Sequence, residues 1–368
     1  MIRFFRSKLQ ETPRSIKLEI NSSLQPAPPN FTGRKKELQK LHNALQANER
    51  VVISGLGGIG KTALALEYAN SYESDYQWIC FISASSENQL ISGLITLADN
   101  LSISPEVEKT SKRLENLKIW LSQLEYKYLI IFDGVDDEAV IDSLGDHLPN
   151  RGKSILLTSR LMKKARPLHF KLVKLEPLTL GEATDYLLNA TESREKEAAI
   201  SLAKTLGCLP LALTHAASYI KDNCSIETYN KDFQEFRLEL FDDLLVPLKK
   251  EEKTILKTWQ LSMNAIEKKL GSSFAKELMN FMSFLAPTSI PIECLELWLT
   301  VSNQNRVKLI KAKSMLIDYS MISKSQERDF YQVHKVVQMV TCYQLQDSDK
   351  ERFLRQDLQV FNKLAEKI

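Results

Sequence analysis

The sequence predicts an α/β domain built on a mainly parallel sheet, followed by a largely helical chain. Three observations predict it. Between Phe31 and about Ala165, short β-branched runs alternate with stretches of helical periodicity. A glycine-rich turn stands at the carboxyl end of the first of those runs. Beyond Arg166-Pro167 the pattern becomes almost wholly helical, with capping residues and helix-breaking glycines and prolines marking the ends.

In the first region, strands are expected at Val51–Ser54, Gln77–Ile82, Tyr128–Phe132 and Ser154–Thr158. The helices between them are expected at Lys35–Leu45, Thr62–Tyr72, Gln89–Leu101 and Lys112–Leu124. In the last of these, Leu114, Leu117, Trp120, Leu121 and Leu124 recur at helical spacing. Strands joined through helices imply right-handed crossovers and a parallel sheet. Ligands of such sheets bind beyond the carboxyl ends of the strands.

In the second region, Thr179-Leu180-Gly181-Glu182 is a capping-box signal for a helix over Leu180–Asn189. A helix over Glu195–Leu206 ends at Gly207, and Pro210 opens the next, which runs through Ile220. A further helical region runs from about Thr254 to Leu285 and is broken by Pro287 and Pro291. Val333, Val336, Val337 and Val340 form one more apolar stripe. Phe353, Leu354, Leu358, Phe361 and Leu364 mark a last amphipathic helix. The start of the chain is different. It is weakly periodic and closes on the stiff stretch Pro26-Ala27-Pro28-Pro29, so residues 1–30 read as an arm or linker.

Composition narrows the function classes. The 368 residues carry a net charge of +3 and 43% hydrophobic side chains, ordinary for a globular protein. Charge so near neutral makes nucleic acid an unlikely general partner. The first twenty residues hold five Lys or Arg against two Glu but lack the apolar stretch of a signal peptide. No run approaches the ~18 apolar residues of a membrane span. Cys80, Cys208, Cys224, Cys294 and Cys342 are scattered and form no C-x-x-C pair. They read as core thiols in a reducing compartment, so a cytoplasmic location is expected and a zinc site is not. Trp78, Trp120, Trp259 and Trp298 read as core aromatics.

The chemistry is concentrated in one run, Gly55-Leu56-Gly57-Gly58-Ile59-Gly60-Lys61-Thr62. It satisfies G-x-x-x-x-G-K-[ST] at every fixed position, between a strand and a helix as that motif requires. Backbone N–H groups of Gly57, Gly58, Ile59, Gly60 and the helix start at Lys61, Thr62 and Ala63 can then point at phosphate oxygens. ATP or ADP is the expected ligand. Lys61 is expected at the β- and γ-phosphates. A second run, Tyr128-Leu129-Ile130-Ile131-Phe132-Asp133, is an apolar strand ending in a carboxylate. Asp133 and the Thr62 hydroxyl are therefore the expected Mg²⁺ ligands. Asp136 and Asp137 follow closely enough to orient an attacking water. Ser154-Ile155-Leu156-Leu157-Thr158-Ser159-Arg160 is another buried strand, and Arg160 is placed to distinguish ATP from ADP at the γ-phosphate.

In this order the pieces resemble the NB-ARC branch of the STAND ATPases, over roughly Phe31 to Val340. Phe31-Thr32-Gly33-Arg34-Lys35-Lys36-Glu37-Leu38 looks like the family's GR-x-x-EL element, which implies that Arg34 lies at the adenine. Thr158-Ser159-Arg160 looks like its sensor strand. Gly207-Cys208-Leu209-Pro210-Leu211-Ala212-Leu213 is close to its GLPLAL motif, which implies that Pro210 lies against the nucleotide. Thr258-Trp259-Gln260-Leu261-Ser262, Ala286-Pro287 and Ile290-Pro291 resemble the start of its winged-helix module. Tyr331-Gln332-Val333-His334 resembles a variant of its MHD motif, typical of members with tetratricopeptide repeats, and implies that His334 contacts the β-phosphate of ADP. The chain departs from the family twice. Gly134 stands where a second acid is common, and Lys335 stands where an Asp is common.

The resemblance implies a P-loop nucleotide-binding domain over 31–165, a helical domain over 166–245 and a winged-helix domain over 246–345. A C-terminal helix over 346–368 would then be a possible start of repeats. The expected function is an ATP/ADP switch in signalling that hydrolyses ATP slowly at most. Nucleotide would lie between the α/β and helical domains, and an unknown protein partner or self-association would carry the output. Two alternatives are a turnover ATPase or kinase and a winged-helix DNA-binding regulator.

Overall fold

The computed structural model describes residues 24–47, 50–103, 108–149, 154–159, 170–235, 250–286, 290–324 and 330–366. It divides into two compact units, Met1–Glu176 and Pro177–Ile368.

The first unit alternates strand and helix. Its elements are α1 (Lys35–Gln46), β1 (Arg50–Ser54), α2 (Lys61–Ser71), β2 (Ile79–Ser83), α3 (Glu87–Asn100) and α4 (Thr110–Gln123), then β3 (Leu129–Asp133), α5 (Glu138–His147), β4 (Ser154–Ser159) and β5 (Phe170–Lys174). The five strands form one parallel sheet in the order β2-β3-β4-β1-β5. The central strands are aliphatic and buried on both faces, as a sheet covered by helices requires. On one face Trp78, Ile130, Phe132 and Ile155 pack with Leu94, Leu117, Trp120 and Leu144 from the helices.

The sheet differs from the sequence expectation at one edge. It continues past residue 165, because Phe170–Lys174 pairs with β1 from Arg50↔Phe170 to Ser54↔Lys174. That strand buries Phe170 and Val173 but exposes Lys171, Leu172 and Lys174. A lysine-bearing edge strand of this kind carries little of the apolar signal that betrays a central one.

The strand order positions the site. Strand β4 lies between β1 and β3, so the strand carrying the glycine loop and the strand ending in Asp133 are not neighbours. Ile53 pairs with Thr158 and Phe132 with Leu157. The end of β4 therefore reaches both chemical elements.

The second unit opens with α6 (Leu180–Thr191), α7 (Lys196–Thr205), α8 (Pro210–Asn223) and α9 (Ile226–Glu235). The capping box forms as read. Glu182 N–H donates to Thr179 Oγ1 at 3.3 Å, and Thr179 N–H donates to Glu182 Oε2 at 2.9 Å. The helical region from about 254 to 285 proves to be two helices, α10 (Lys250–Leu270) and α11 (Phe274–Met282), parted at Gly271. That glycine has φ +64°, which breaks the helix without a Cβ penalty. Then come β6 (Ile290–Pro291), α12 (Ile292–Val301), α13 (Arg306–Asp318), β7 (Ile322–Lys324), β8 (Phe330–Val333), α14 (Lys335–Tyr343) and α15 (Asp347–Ala365). The three short strands form an antiparallel sheet in the order β6-β8-β7, where the sequence signalled only helices and breaks. Trp298 is the anchor of this half, stacked on Phe281 at 5.0 Å between ring centres.

Candidate functional site

The glycine run forms the loop between β1 and α2. Gly58 and Gly60 have φ of +77° and +93°, conformations that cost a residue with a Cβ about 1–2 kcal/mol each. Gly55 is required for a different reason. A Cβ there would stand 2.9 Å from the Leu175 carbonyl oxygen and 3.0 Å from Ile59 Cγ2. The first helical bond runs from Leu64 N–H to Gly60 C=O at 2.9 Å. The amides of Lys61, Thr62 and Ala63 thus belong to the helix turn that has no internal acceptors, the natural place for phosphate oxygens. Lys61 Nζ lies over the loop, donating to the carbonyls of Gly55 at 3.0 Å and Leu56 at 2.9 Å.

Arg34 supports the same loop from behind. It is buried, has φ +60°, and its guanidinium donates to the Ile59 carbonyl at 3.2 Å while facing Glu37 at 3.6 Å. The geometry brings Arg34 into the site as a support of the loop backbone.

Asp133 ends β3 beside Thr62, whose hydroxyl donates to Asp133 Oδ1 at 2.7 Å. Thr158 donates to that same oxygen at 2.5 Å. Burial raises the Asp133 carboxyl above its usual range, against the pull of the Thr158 and Thr62 hydrogen bonds and the Lys61 charge. Asp136 is near enough for its charge to add to the rise. The donor set fits a hard cation beside a phosphate chain, because it offers a carboxylate and a hydroxyl oxygen next to a cradle of amides. Sequence reading placed Thr158 in the run that resembles the family's sensor strand but gave the contact there to Arg160. The signal of Thr158 was a hydroxyl in an otherwise aliphatic buried run.

The remaining candidates divide. Asp137 caps α5, its Oδ1 accepting from Ala139 N–H at 3.0 Å. Arg160 lies outside the described residues. In the second unit, Pro210 is the first residue of α8, reached through Gly207 and Cys208, with φ of +63° and +52°. His334 caps α14, and its Nδ1 accepts from Val336 N–H at 3.2 Å. His215 on α8 is fully buried, and its pKa is lowered to about 3 by burial first and by the charge of His334 second. All five cysteines are free thiols. Among the described residues, no helix is long and apolar enough to cross a membrane and no His/Cys/Asp/Glu cluster suits a metal.

Comparison with known proteins agrees with this geometry. The NB-ARC domain profile matches residues 34–197, and a Domain of unknown function (DUF7779) profile matches residues 265–350. A nucleotide-binding leucine-rich repeat (NLR)-like protein of Hyaloscypha variabilis is 26% identical, over 84% of this chain and 34% of its own length. Regulatory protein AfsR of Streptomyces griseus is 30% identical over 52% of this chain and 21% of its own length. Disease resistance protein RPP13 of Arabidopsis thaliana is 30% identical over 40% of this chain and 19% of its own length. The chain thus spans about a third or less of the curated relatives it matches. Among solved structures, it resembles a Signal Transduction ATPase with Numerous Domains protein with a tetratricopeptide repeat sensor from Pyrococcus horikoshii. That match has a TM-score of 0.61 at 18% identity and covers 94% of this chain and 47% of the other. At this identity the likeness speaks for the fold. Residues 34–197 match the NB-ARC domain family, and the chain shares the fold of that solved structure.

Proposed function

We propose that the protein is an ATP/ADP-dependent signalling switch of the NB-ARC type, hydrolysing ATP slowly at most. The observation that carries the reading is the Thr62–Asp133 hydrogen bond, 2.7 Å long, across the mouth of the glycine loop. It joins the phosphate cradle to the metal-ligand strand. Thr62 and Asp133 would hold Mg²⁺, which supplies charge neutralisation at the phosphates. The chain's own residues do the rest. Loop amides bind phosphate oxygens, Lys61 turns from the loop carbonyls to phosphate, and Arg34 holds the loop in shape. Asp136 is the better placed of the two following acids to orient a water, since Asp137 is engaged as a helix cap. Arg160, Pro210 and His334 are proposed as nucleotide sensors on the family likeness of their sequence motifs.

The order α11-β6-α12-α13-β7-β8, with β6 and β7 both paired to β8, supports the reading of a winged-helix module. We assign it as one, over the proposed 246–345 domain. The proposed P-loop, helical and C-terminal helix domains keep the spans 31–165, 166–245 and 346–368, after an arm over 1–30. Strand β5 extends the α/β sheet into the start of the proposed helical span. The names of two relatives concern regulation and disease resistance, which favours a signalling role over metabolic turnover. A cytoplasmic location, with a protein partner or a second copy as output, belongs to the same reading. To move such a switch from 1:99 to 99:1, the two nucleotides must differ in affinity between its states by about 5.5 kcal/mol.

The test is to release and identify any nucleotide that copurifies, then titrate ADP and ATP in the presence of Mg²⁺. Micromolar or tighter binding is expected. K61A is expected to weaken it at least a hundredfold, about 2.7 kcal/mol. A wild-type protein without affinity for either nucleotide, or K61A with unchanged affinity, overturns the proposal. Phosphate release at the ~1–100 s⁻¹ of kinases would replace the switch by a turnover enzyme.

A further inference from the structure

Thr158, the residue before the last of β4, stands at the joint between the glycine loop and the metal strand. The Thr158 side chain is buried. Its Oγ1 accepts from Gly134 N–H at 2.8 Å and lies 2.5 Å from Asp133 Oδ1. An amide N–H can only donate, and a carboxylate has no proton to give. The Thr158 hydroxyl proton therefore points at Asp133, with its direction fixed from both sides. The same carboxylate oxygen takes the Thr62 hydroxyl. Two donors on one oxygen hold the carboxylate in one rotation about its terminal bond. The backbone around it is clasped independently. Val135 N–H donates to Thr158 C=O at 2.9 Å, and Ser159 Oγ donates to Val135 C=O.

Gly134 makes the arrangement possible. Its φ of +78° turns the chain so that the amide following Asp133 meets the threonine hydroxyl. After Asp133 the chain places a glycine turn and recruits a hydroxyl from the neighbouring strand.

We propose that Thr158 is the positioning residue for Asp133: its hydroxyl pins the carboxylate against Thr62, so that the pair is set to receive the cation that accompanies nucleotide. The inference rests on the reading of Asp133 and Thr62 as the cation ligands. It assigns to Thr158 no contact with nucleotide.

Valine has the shape of threonine without the hydroxyl, and the backbone clasp does not use the side chain. T158V therefore removes the hydroxyl's two hydrogen bonds, the one it gives to Asp133 and the one it takes from Gly134 N–H. The experiment measures ADP affinity by calorimetry with Mg²⁺ and again with EDTA, for wild type, T158V and T158S. The quantity read is the ratio of the two affinities. T158V is expected to lower the Mg²⁺ enhancement about tenfold, the worth of one hydrogen bond to a charged group, with the EDTA value within twofold of wild type. T158S restores the hydroxyl and is expected to restore the enhancement. T158A is a second hydroxyl-free variant, measured alongside in case valine does not fold. A hydroxyl-free variant with wild-type enhancement overturns the inference, as does an equal loss with and without Mg²⁺. Wild type without any ADP affinity overturns the functional reading beneath it instead.

Discussion

Half-buried Asp133 in one unit and buried Asp357 in the other are held in opposite ways. Asp133 in the α/β unit has two hydroxyl donors on one oxygen and feels the charge of a lysine. Asp357, on the inner face of α15, is 6% exposed, and its Oδ1 has no hydrogen-bond partner among the described residues. Burial alone sets its pKa, raised to about 7. Burial first, and the Asp357 charge after it, push up the nearby thiols of Cys294 and Cys342. Meanwhile the outer face of α15 shows Leu354, Leu358 and Phe361 to solvent. The contrast teaches that burial of an acid does not mark a site. Donors aimed at it do, because only they make the charged form usable at neutral pH.

The comparison can be broken by the same substitution at both positions. Asp357 binds its proton up to about pH 7 in the folded chain and up to about pH 3.9 in the unfolded one. Between those values the folded state holds a proton that the unfolded state has lost, so stability falls as pH rises from about 4 to about 7. The loss should be on the order of 2–4 kcal/mol. D357N is expected to flatten that slope and to be more stable than wild type at pH 8, with nucleotide affinity unchanged. D133N is expected to keep the slope and lose Mg²⁺-dependent affinity. Urea unfolding at several pH values checks the first pair of outcomes and calorimetry the second. A D357N slope equal to wild type would mean that the two carboxylates are not different in kind.

A smaller effect sharpens the account of Asp133. An alanine Cβ at Gly134 would meet Ser85 Cβ at 3.5 Å, an ordinary contact. The cost of G134A is then the positive φ alone, about 1 kcal/mol. In a unit of this size that is roughly 2–4 °C of melting temperature. A thermal scan showing several times that loss would mean that the turn after β3 is packed as well as strained.

How far the sequence was legible follows from which interactions are local. The glycine loop and the apolar run ending in Asp133 are continuous segments, so strand, loop, helix and acid could be read from neighbours in the chain. The part played by Thr158 could not. It depends on β4 lying between β1 and β3, and strand order is decided by packing across the whole sheet. The same limit explains the missed elements. Helix α12 buries Cys294, Leu295, Leu297, Trp298 and Leu299, too much of its circumference to leave a polar stripe. Helix α13 has the reverse ambiguity, burying Leu309, Ala312 and Leu316 while exposing Val307 and Ile310. Both blur the 3.6-residue period on which sequence reading relies. Strands β7 and β8 are three and four residues long and acquire meaning only when paired.

The smallest expected effect concerns the two acids that follow Asp133. Asp137 spends its carboxylate on the first turn of α5, accepting from Ala139 N–H at 3.0 Å. Removing such a cap costs typically ~1 kcal/mol, whereas asparagine caps about as well as aspartate. D137A is therefore expected to lose about that much stability in urea unfolding, and D137N close to none. The charge of Asp137 would matter only if it also orients water, in which case ATP hydrolysis falls in D137N while stability does not. We expect hydrolysis to follow Asp136, because it is the Asp136 charge that Asp133 feels. A carboxylate already committed to a helix end is poorly placed to turn toward a phosphate without unravelling the turn that it holds.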